Sequence, residues 1–321
     1  MCTTCGCSET DQVVYTDPAT GRQYSVTRGP VSVEPPAQPR SHQHDRGEEH
    51  PHAHGGDDPH FHMHADGTAH SHAHDPAHGH GHGHLHDHGH GHAPPAHATT
   101  VTLEQQILAK NQRLAERNRG WLAGRNVVAL NLLSAPGSGK TTLLERTLRD
   151  LRQELAIGVI EGDQATLNDA ERIRAAGCPV VQINTGTGCH LEADMLAHGL
   201  QQLDPRPGSM VLIENVGNLV CPALFDLGER AKVVMLAVTE GEDKPLKYPH
   251  MFRASDVMLV NKIDLLPYLR FDLERCIGYA REVNPALRVL CVSAQTGTGM
   301  QAWYAFLREC VAGTRTAAAA S

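Results

Sequence analysis

Apolar positions are distributed unevenly along the 321 residues. Between about Thr102 and Val311, short apolar runs recur with Gly, Pro and charged residues between them: Val127 to Leu133, Ala156 to Ile160, Pro179 to Ile183, Met210 to Ile213, Lys232 to Ala237, Val257 to Val260, and Arg288 to Val292. Each has the length of a buried strand, and the stretches between them, such as Thr142 to Gln153, carry helical spacing. Alternating strands and helices predict an α/β fold with a mostly parallel sheet flanked by helices, because parallel neighbours need crossovers. Thr102 and Gln105 form a capping-box pair, and Leu103, Ile107 and Leu114 fall roughly on one face, so an entry helix is expected from there to about Arg119. A last helix is expected from Met300 to about Val311, with a disordered low-complexity tail over 314–321.

Residues 10–101 contain no sustained apolar period. Rich in Pro, Gly, His, Asp and Ala, they bury too little surface to offset the entropy of ordering and are expected to be disordered. Twenty of the 23 histidines lie between His42 and His97. They keep a rhythm: His50-His52-His54, His60-His62-His64 and His70-His72-His74 repeat every ten residues, and alternation then runs unbroken from His78 to His92. Alternate imidazoles on a flexible chain can pair around nickel, zinc or copper with little geometric selectivity, so the segment 42–97 reads as a metal store whose occupancy depends on pH.

The net charge of -8, with no Lys/Arg run, argues against a nucleic-acid partner. No stretch of about 18 apolar residues occurs, and the first residues lack a basic flank and an apolar core, so neither a membrane span nor an export signal is expected. Nine cysteines, three crowded at the start and six scattered, are unlike a secreted disulfide framework, and reduced thiols in the cytoplasm fit better.

Ser134-Ala135-Pro136-Gly137-Ser138-Gly139-Lys140-Thr141 follows the first strand and opens a helix, the setting of a phosphate-binding P-loop, with Ser134 where the first glycine often stands. Gly137, Ser138, Gly139 and Thr142 would turn backbone N–H groups onto phosphates, Lys140 would neutralise the outer ones, and the Thr141 hydroxyl could hold magnesium. At the end of a later strand, Asn261-Lys262-Ile263-Asp264 offers a carboxylate that can accept from guanine N1–H and the exocyclic amine, donors that adenine lacks there. Ser293 and Ala294 would back the base. GTP hydrolysis to GDP and phosphate is therefore expected over a GTPase domain at 102–313. Asp163 and Glu214, each just past a strand, are candidates for the magnesium and water shell. Asn218 follows Gly217, where many GTPases carry glutamine, so intrinsic turnover should be slow.

Two further metal signals stand outside the histidine array. Cys2, Cys5 and Cys7 pack three thiols into residues 1–9, suited to nickel in a planar nitrogen and sulfur set or to zinc in a tetrahedral one. Cys189-His190 heads a helical pattern, with Cys221 four residues beyond Gly217. Adjacent Cys and His cannot close a four-coordinate site alone, so Cys221, a second copy of the chain, or water must complete it. Cys178, Cys276, Cys291 and Cys310 sit in apolar surroundings as core thiols.

With these residues laid out, the chain resembles the HypB family of nickel-insertion GTPases in hydrogenase maturation. The resemblance spans Cys2 to Cys7 and essentially all of 102–311, through Ser134 to Thr141, Glu161 to Gln164, Thr185 to Glu192, Glu214 to Pro222, Glu240 to Pro249 and Asn261 to Asp264. It implies a GTP-dependent homodimer, a tight nickel site at Cys2, Cys5 and Cys7, and a nickel or zinc site at Cys189, His190 and Cys221. It also implies delivery of nickel to the precursor of a [NiFe] hydrogenase large subunit, helped by a small zinc-containing nickel chaperone. Two alternatives stay open. One is the urease accessory GTPase, whose metal motif places a proline between Cys and His and which normally lacks the N-terminal cysteines. The other is a nickel or zinc storage protein with vestigial nucleotide binding.

Overall fold

The computed structural model describes residues 12–16, 23–27, 40–43, 49–52, 60–63, 69–72 and 96–319, except 164–167 and Thr187. Cys2, Cys5, Cys7, Gln164 and most histidines of 42–97 lie outside the described residues. The chain divides into two compact units, Val31–Thr99 and the remainder.

The larger unit is built on a nine-stranded sheet. Its strands are β1 (Gln12–Thr16), β2 (Gln23–Thr27), β7 (Val128–Ser134), β8 (Ile157–Asp163), β9 (Val180–Asn184), β10 (Met210–Glu214), β11 (Ala231–Ala237), β12 (Val257–Asn261) and β13 (Arg288–Cys291). Their order is β13-β12-β11-β7-β10-β8-β9-β1-β2. From β13 to β9 every pairing is parallel, whereas β1 and β2 join antiparallel beyond β9. The helices are α1 (Ala96–Gly124), α2 (Lys140–Leu151), α3 (Asn168–Ala175), α4 (Ala193–Leu203), the short α5 (Cys221–Leu224), α6 (Lys244–Lys247) and α7 (Pro249–Arg253), then α8 (Leu273–Val283) and α9 (Met300–Ala319).

Both faces of the sheet are covered, so its central strands read as continuous apolar runs and not as alternations. All seven residues of β7 are buried. Val128, Leu130 and Leu132 pack with Leu143 and Leu148 of α2, Ile173 of α3 and Trp303 of α9. Ala129 faces the opposite layer, with Leu122 of α1 and Met195 and Leu196 of α4. Leu133 joins a third cluster, with Phe252 of α7 and Ala280 of α8. Because β7 lies between β10 and β11, successive crossovers run to either side of it. The crevice at its carboxyl end is the position where such sheets take ligands.

The described elements extend beyond the expected bounds at both ends of the domain. Within the segment 10–101, Gln12–Thr16 and Gln23–Thr27 form a hairpin on the edge of the domain sheet. Val13 and Tyr15 of that hairpin are buried against α4 residues Met195, Leu196 and Leu200. Their alternation stabilises a strand only because β9 offers an open edge. The entry helix begins at Ala96, not Thr102, and runs past Arg119 to Gly124, because Leu122 reaches the core. The last helix continues to Ala319 through the alanine-rich tail, a composition with high intrinsic helix propensity.

Within Val31–Thr99, β3 (Arg40–Gln43) pairs with β4 (Glu49–His52), and β5 (His60–Met63) with β6 (Ala69–His72). The registers set His42 opposite His50, His60 opposite His72, and His62 opposite His70. Isolated four-residue hairpins of this polarity are marginal in water.

Candidate nucleotide and metal sites

Every residue of the expected nucleotide site comes from the carboxyl edge of the parallel sheet. The loop after β7 turns through Gly137 at φ +77° and Gly139 at φ +95°, a region that disfavours residues with a side chain. A Cβ on Gly139 would also stand 2.7 Å from Asn261 Nδ2. Lys140 is buried at the start of α2, where its Nζ donates to Ser134 Oγ at 2.7 Å; Ser138 Oγ donates to the same oxygen at 2.6 Å. Together with Thr141, Thr142, Asp163, Glu214 and Lys262, the loop lines a cavity of about 520 Å³. Exposed backbone donors, the α2 N-terminus and a lysine make this a phosphate cradle.

The guanine-side residues are braced against the same loop. Asn261 Nδ2 donates to the Ser138 carbonyl at 2.9 Å, while its Oδ1 accepts from Ala294 N at 3.1 Å. Lys262, in left-handed backbone at φ +63°, donates through Nζ to the Gly137 carbonyl at 2.7 Å. Ser293 Oγ donates to Asp264 Oδ1 at 2.5 Å and accepts from Thr296 N at 3.0 Å. Ser293 thus orients the carboxylate that would read guanine.

Thr141 Oγ1 donates to Glu214 Oε1 at 3.0 Å, and both side chains are buried. Half-buried Asp163 ends β8 and lines the same cavity. A hydroxyl with two carboxylates at a phosphate cradle is a hard oxygen set, which fits magnesium. When bound there, magnesium would neutralise charge on the outer phosphates.

The second site lies along the same edge. Cys189, His190 and Cys221 present ligand atoms that all fall within 4.8 Å of one another. Both cysteines are half-buried and His190 is fully buried, its ring 3.9 Å from that of Phe225. Cys189 Sγ is 3.6 Å from His190 Nδ1. His190 Nε2 makes no hydrogen bond among the described residues, and Glu192 Oε1 stands 3.6 Å from it. Two thiols and an imidazole without a hydrogen bond at one nitrogen suit nickel or zinc. Cys221 of the same chain thus stands where a third donor beside Cys189 and His190 would have to be.

The two sites touch through residues whose bridging roles have no signature in the sequence. Asn215, next to Glu214, accepts through Oδ1 from Leu191 N at 3.1 Å and from Val216 N at 3.0 Å. Asn218 Nδ2 donates to the Cys189 carbonyl at 3.4 Å, and its Oδ1 accepts from Val220 N at 2.8 Å. Leu191 presses on the β8 end so closely that a Cβ on Gly162 would lie 2.8 Å from it. Gly217 backs onto Pro136 of the P-loop, 3.1 Å from where its Cβ would be. Arg172 of α3 also lines the phosphate cavity, with its guanidinium held by both oxygens of Glu145 at 3.1 and 2.8 Å. A lone Asn or Arg carries no local pattern that would have revealed these roles.

The remaining described cysteines behave as core thiols. Burial pushes the Cys276 thiol up to about 12, and Cys178, Cys291 and Cys310 are raised for the same reason.

A P-loop at the switch point of a doubly wound parallel sheet, joined to a guanine-reading Asn261-Lys262-Ile263-Asp264 loop, defines a P-loop GTPase. The family model for the CobW/HypB/UreG nucleotide-binding domain matches residues 128–291. The hydrogenase maturation factor HypB of Escherichia coli is 58% identical over 205 residues, covering 64% of this chain and 71% of that protein. The crystal structure of HypB from Archaeoglobus fulgidus superposes with a TM-score of 0.60 at 42% identity, covering 63% of this chain and 99% of that one. HypB from Helicobacter pylori, solved in complex with nickel, gives a TM-score of 0.60 at 35% identity, covering 64% of this chain and 96% of that one. The chain belongs to the HypB family of hydrogenase maturation factors.

Proposed function

We propose that GTP binding and hydrolysis in this chain govern a nickel site at Cys189, His190 and Cys221, and that the chain delivers nickel to the precursor of a [NiFe] hydrogenase large subunit. The reading includes action in the cytoplasm as a GTP-dependent homodimer, with a small zinc-containing nickel chaperone as partner. It also includes a tight nickel site at Cys2, Cys5 and Cys7, and nickel or zinc storage in the histidine array.

The observation that carries the proposal is the pair of side-chain amides joining the two sites. Asn215 and Asn218 belong to the segment that follows Glu214, at the phosphate cradle, yet they hold the backbone of Leu191 and Cys189. Loss of the γ-phosphate that shifts this segment would pull on the metal loop, and Cys221 lies farther along the same segment. Val220 and Leu224, on either side of Cys221, are about half exposed. Exposed apolar side chains beside a metal site favour docking of a protein partner there.

The test is a double Cys189→Ser, Cys221→Ser substitution in a full chain whose Cys2, Cys5 and Cys7 are serines. Thiolate-to-nickel charge-transfer absorption should vanish while GTP hydrolysis is retained, since histidine ligands give no such band. Retention of the band would refute the site. Asn218, whose amide is committed to Cys189 and Val220, is not aimed at an attacking water, so intrinsic turnover should fall well below about 1 s⁻¹, in the range of unassisted small GTPases.

A further inference from the structure

Asn131 interrupts the apolar run of β7 with a fully buried polar side chain, and burying an amide is costly unless both its ends find partners. Both do. Asn131 Oδ1 accepts from Asn215 Nδ2 at 3.2 Å, and Asn131 Nδ2 donates to Glu229 Oε1 at 3.1 Å. The second oxygen of buried Glu229, Oε2, accepts from Leu227 N at 2.7 Å. Lys232, opposite Asn131 in the sheet register, places Nζ 3.8 Å from Glu229 Oε1 and donates to the Ala223 carbonyl at 3.4 Å. Burial pushes the Glu229 carboxyl up, and the Lys232 ammonium opposes that rise.

This polar chain runs through the core from one half of the Cys189, His190 and Cys221 cluster to the other. At one end Asn215 Oδ1 holds Leu191 N, next to His190. At the other, Lys232 holds α5, which Cys221 opens, and Leu227 lies two residues past Phe225, whose ring packs on His190. Its direction is fixed. The oxygen and nitrogen of an amide are told apart by their partners, and backbone N–H groups set both ends here. Leu191 N and Val216 N require the oxygen of Asn215, and Leu227 N requires an oxygen at position 229. Asn215 then presents its NH₂ to Asn131, which must answer with oxygen and turn its own NH₂ to position 229. Only a side chain with acceptors on both sides closes the chain; glutamate has two such oxygens and glutamine one.

We infer that Glu229 is a positioning residue for the Cys189, His190 and Cys221 cluster, holding the loop after β9 and the α5 segment in one arrangement through Asn131, Asn215 and Lys232. The consequence for a bound soft divalent cation rests on the metal-binding reading above; the relay itself does not.

Two single substitutions and their combination test the relay. Glu229→Gln sets NH₂ against NH₂, and turning Asn131 over only moves the conflict to Asn215. Asn131→Asp sets carboxylate against carboxylate. Together they restore the order: the new aspartate accepts from both neighbours, the glutamine oxygen still accepts from Leu227 N, and the buried charge is unchanged. Amide hydrogen exchange is read by NMR on the metal-free, reduced full chain. Each single variant should speed exchange at Leu191 by about tenfold relative to the amides of β7, and the double variant should return it to near wild type, with GTP hydrolysis retained throughout. A general loss of stability would speed both sets of amides alike. Unchanged Leu191 exchange in both single variants, acceleration shared equally with β7, or a double variant no closer to wild type than the singles would overturn the relay. Should a single variant not fold, the double must still fold with wild-type exchange at Leu191, and its failure would also overturn it. In chains whose Cys2, Cys5 and Cys7 are serines, nickel affinity followed by the thiolate charge-transfer band should fall about tenfold in each single variant and recover in the double. Equal affinities in all of these chains would overturn the consequence for the cation. The exchange measurement contains no metal, so a wild-type cluster that binds no nickel would sink the metal-binding reading and leave the relay decided by exchange alone.

Discussion

Lys140, Thr141, Glu214 and Asn261 are each more than nine-tenths buried at strand or helix ends, while Cys189 and Cys221 sit half-buried in connecting segments, with only His190 sealed against Phe225. The nucleotide cradle is fixed by the sheet itself: Ser134 ends β7, Glu214 ends β10 and Asn261 ends β12. The Cys189, His190 and Cys221 cluster joins a loop after β9 to a four-residue helix after β10, held together by Asn215 and Asn218. A rigid cradle preorganises phosphate chemistry, whereas a cluster spanning two connections can open when one of them moves. Side-chain hydrogen bonds join the two regions.

The comparison breaks most severely at Lys140. Lys140→Ala removes the cation from the phosphate cradle and should lower GTP hydrolysis by more than about 100-fold, read as phosphate release, with the Cys221 nickel site retained. Asp264→Asn turns the guanine acceptor partly into a donor, and GTP affinity should fall about 100-fold in a nucleotide titration. Xanthosine triphosphate, which carries an acceptor where guanine has its amine, should gain relative to GTP.

Asn215→Ala acts on the link between the two regions while leaving both ligand sets intact. Its buried amide also donates to Asn131 Oδ1 at 3.2 Å, so chemical denaturation should show a loss of about 1–3 kcal/mol. In the variant, nickel affinity should no longer follow the bound nucleotide. The smallest expected effect separates metal thiols from core thiols. With its pKa near 12, Cys276 is about 10⁻⁴ thiolate at pH 8, and maleimide labelling there should be the slowest among the described cysteines. Its thiolate fraction rises about tenfold per pH unit below that pKa.

These two regions also differ in how far the sequence reveals them. The P-loop and the Asn261 to Asp264 loop are legible because phosphate and guanine recognition demand particular residue types at fixed spacing, directly after an apolar strand. All seven parallel strands are legible because burial on both faces leaves unbroken apolar runs. Cys189, His190 and Cys221 can be singled out by chemistry, but their convergence depends on β9 and β10 both ending at one edge. Nothing local shows that Val13 and Tyr15 belong to the domain. Five residues in a polar surrounding become a strand only because β9 has a free side and α4 provides the apolar cover. The bridging roles of Asn215 and Asn218 are invisible for a similar reason, since their partners lie 24 and 29 residues away.

Nucleotide state is expected to set the affinity of the Cys189, His190 and Cys221 site. The most direct measurement is a nickel titration of the full chain carrying Cys2, Cys5 and Cys7 as serines, followed by the thiolate charge-transfer band, with GDP and then with a non-hydrolysable GTP analogue. A coupling of about 1–3 kcal/mol would separate the two nickel affinities by roughly 5- to 150-fold, and equal affinities in the two nucleotide states would contradict the claim.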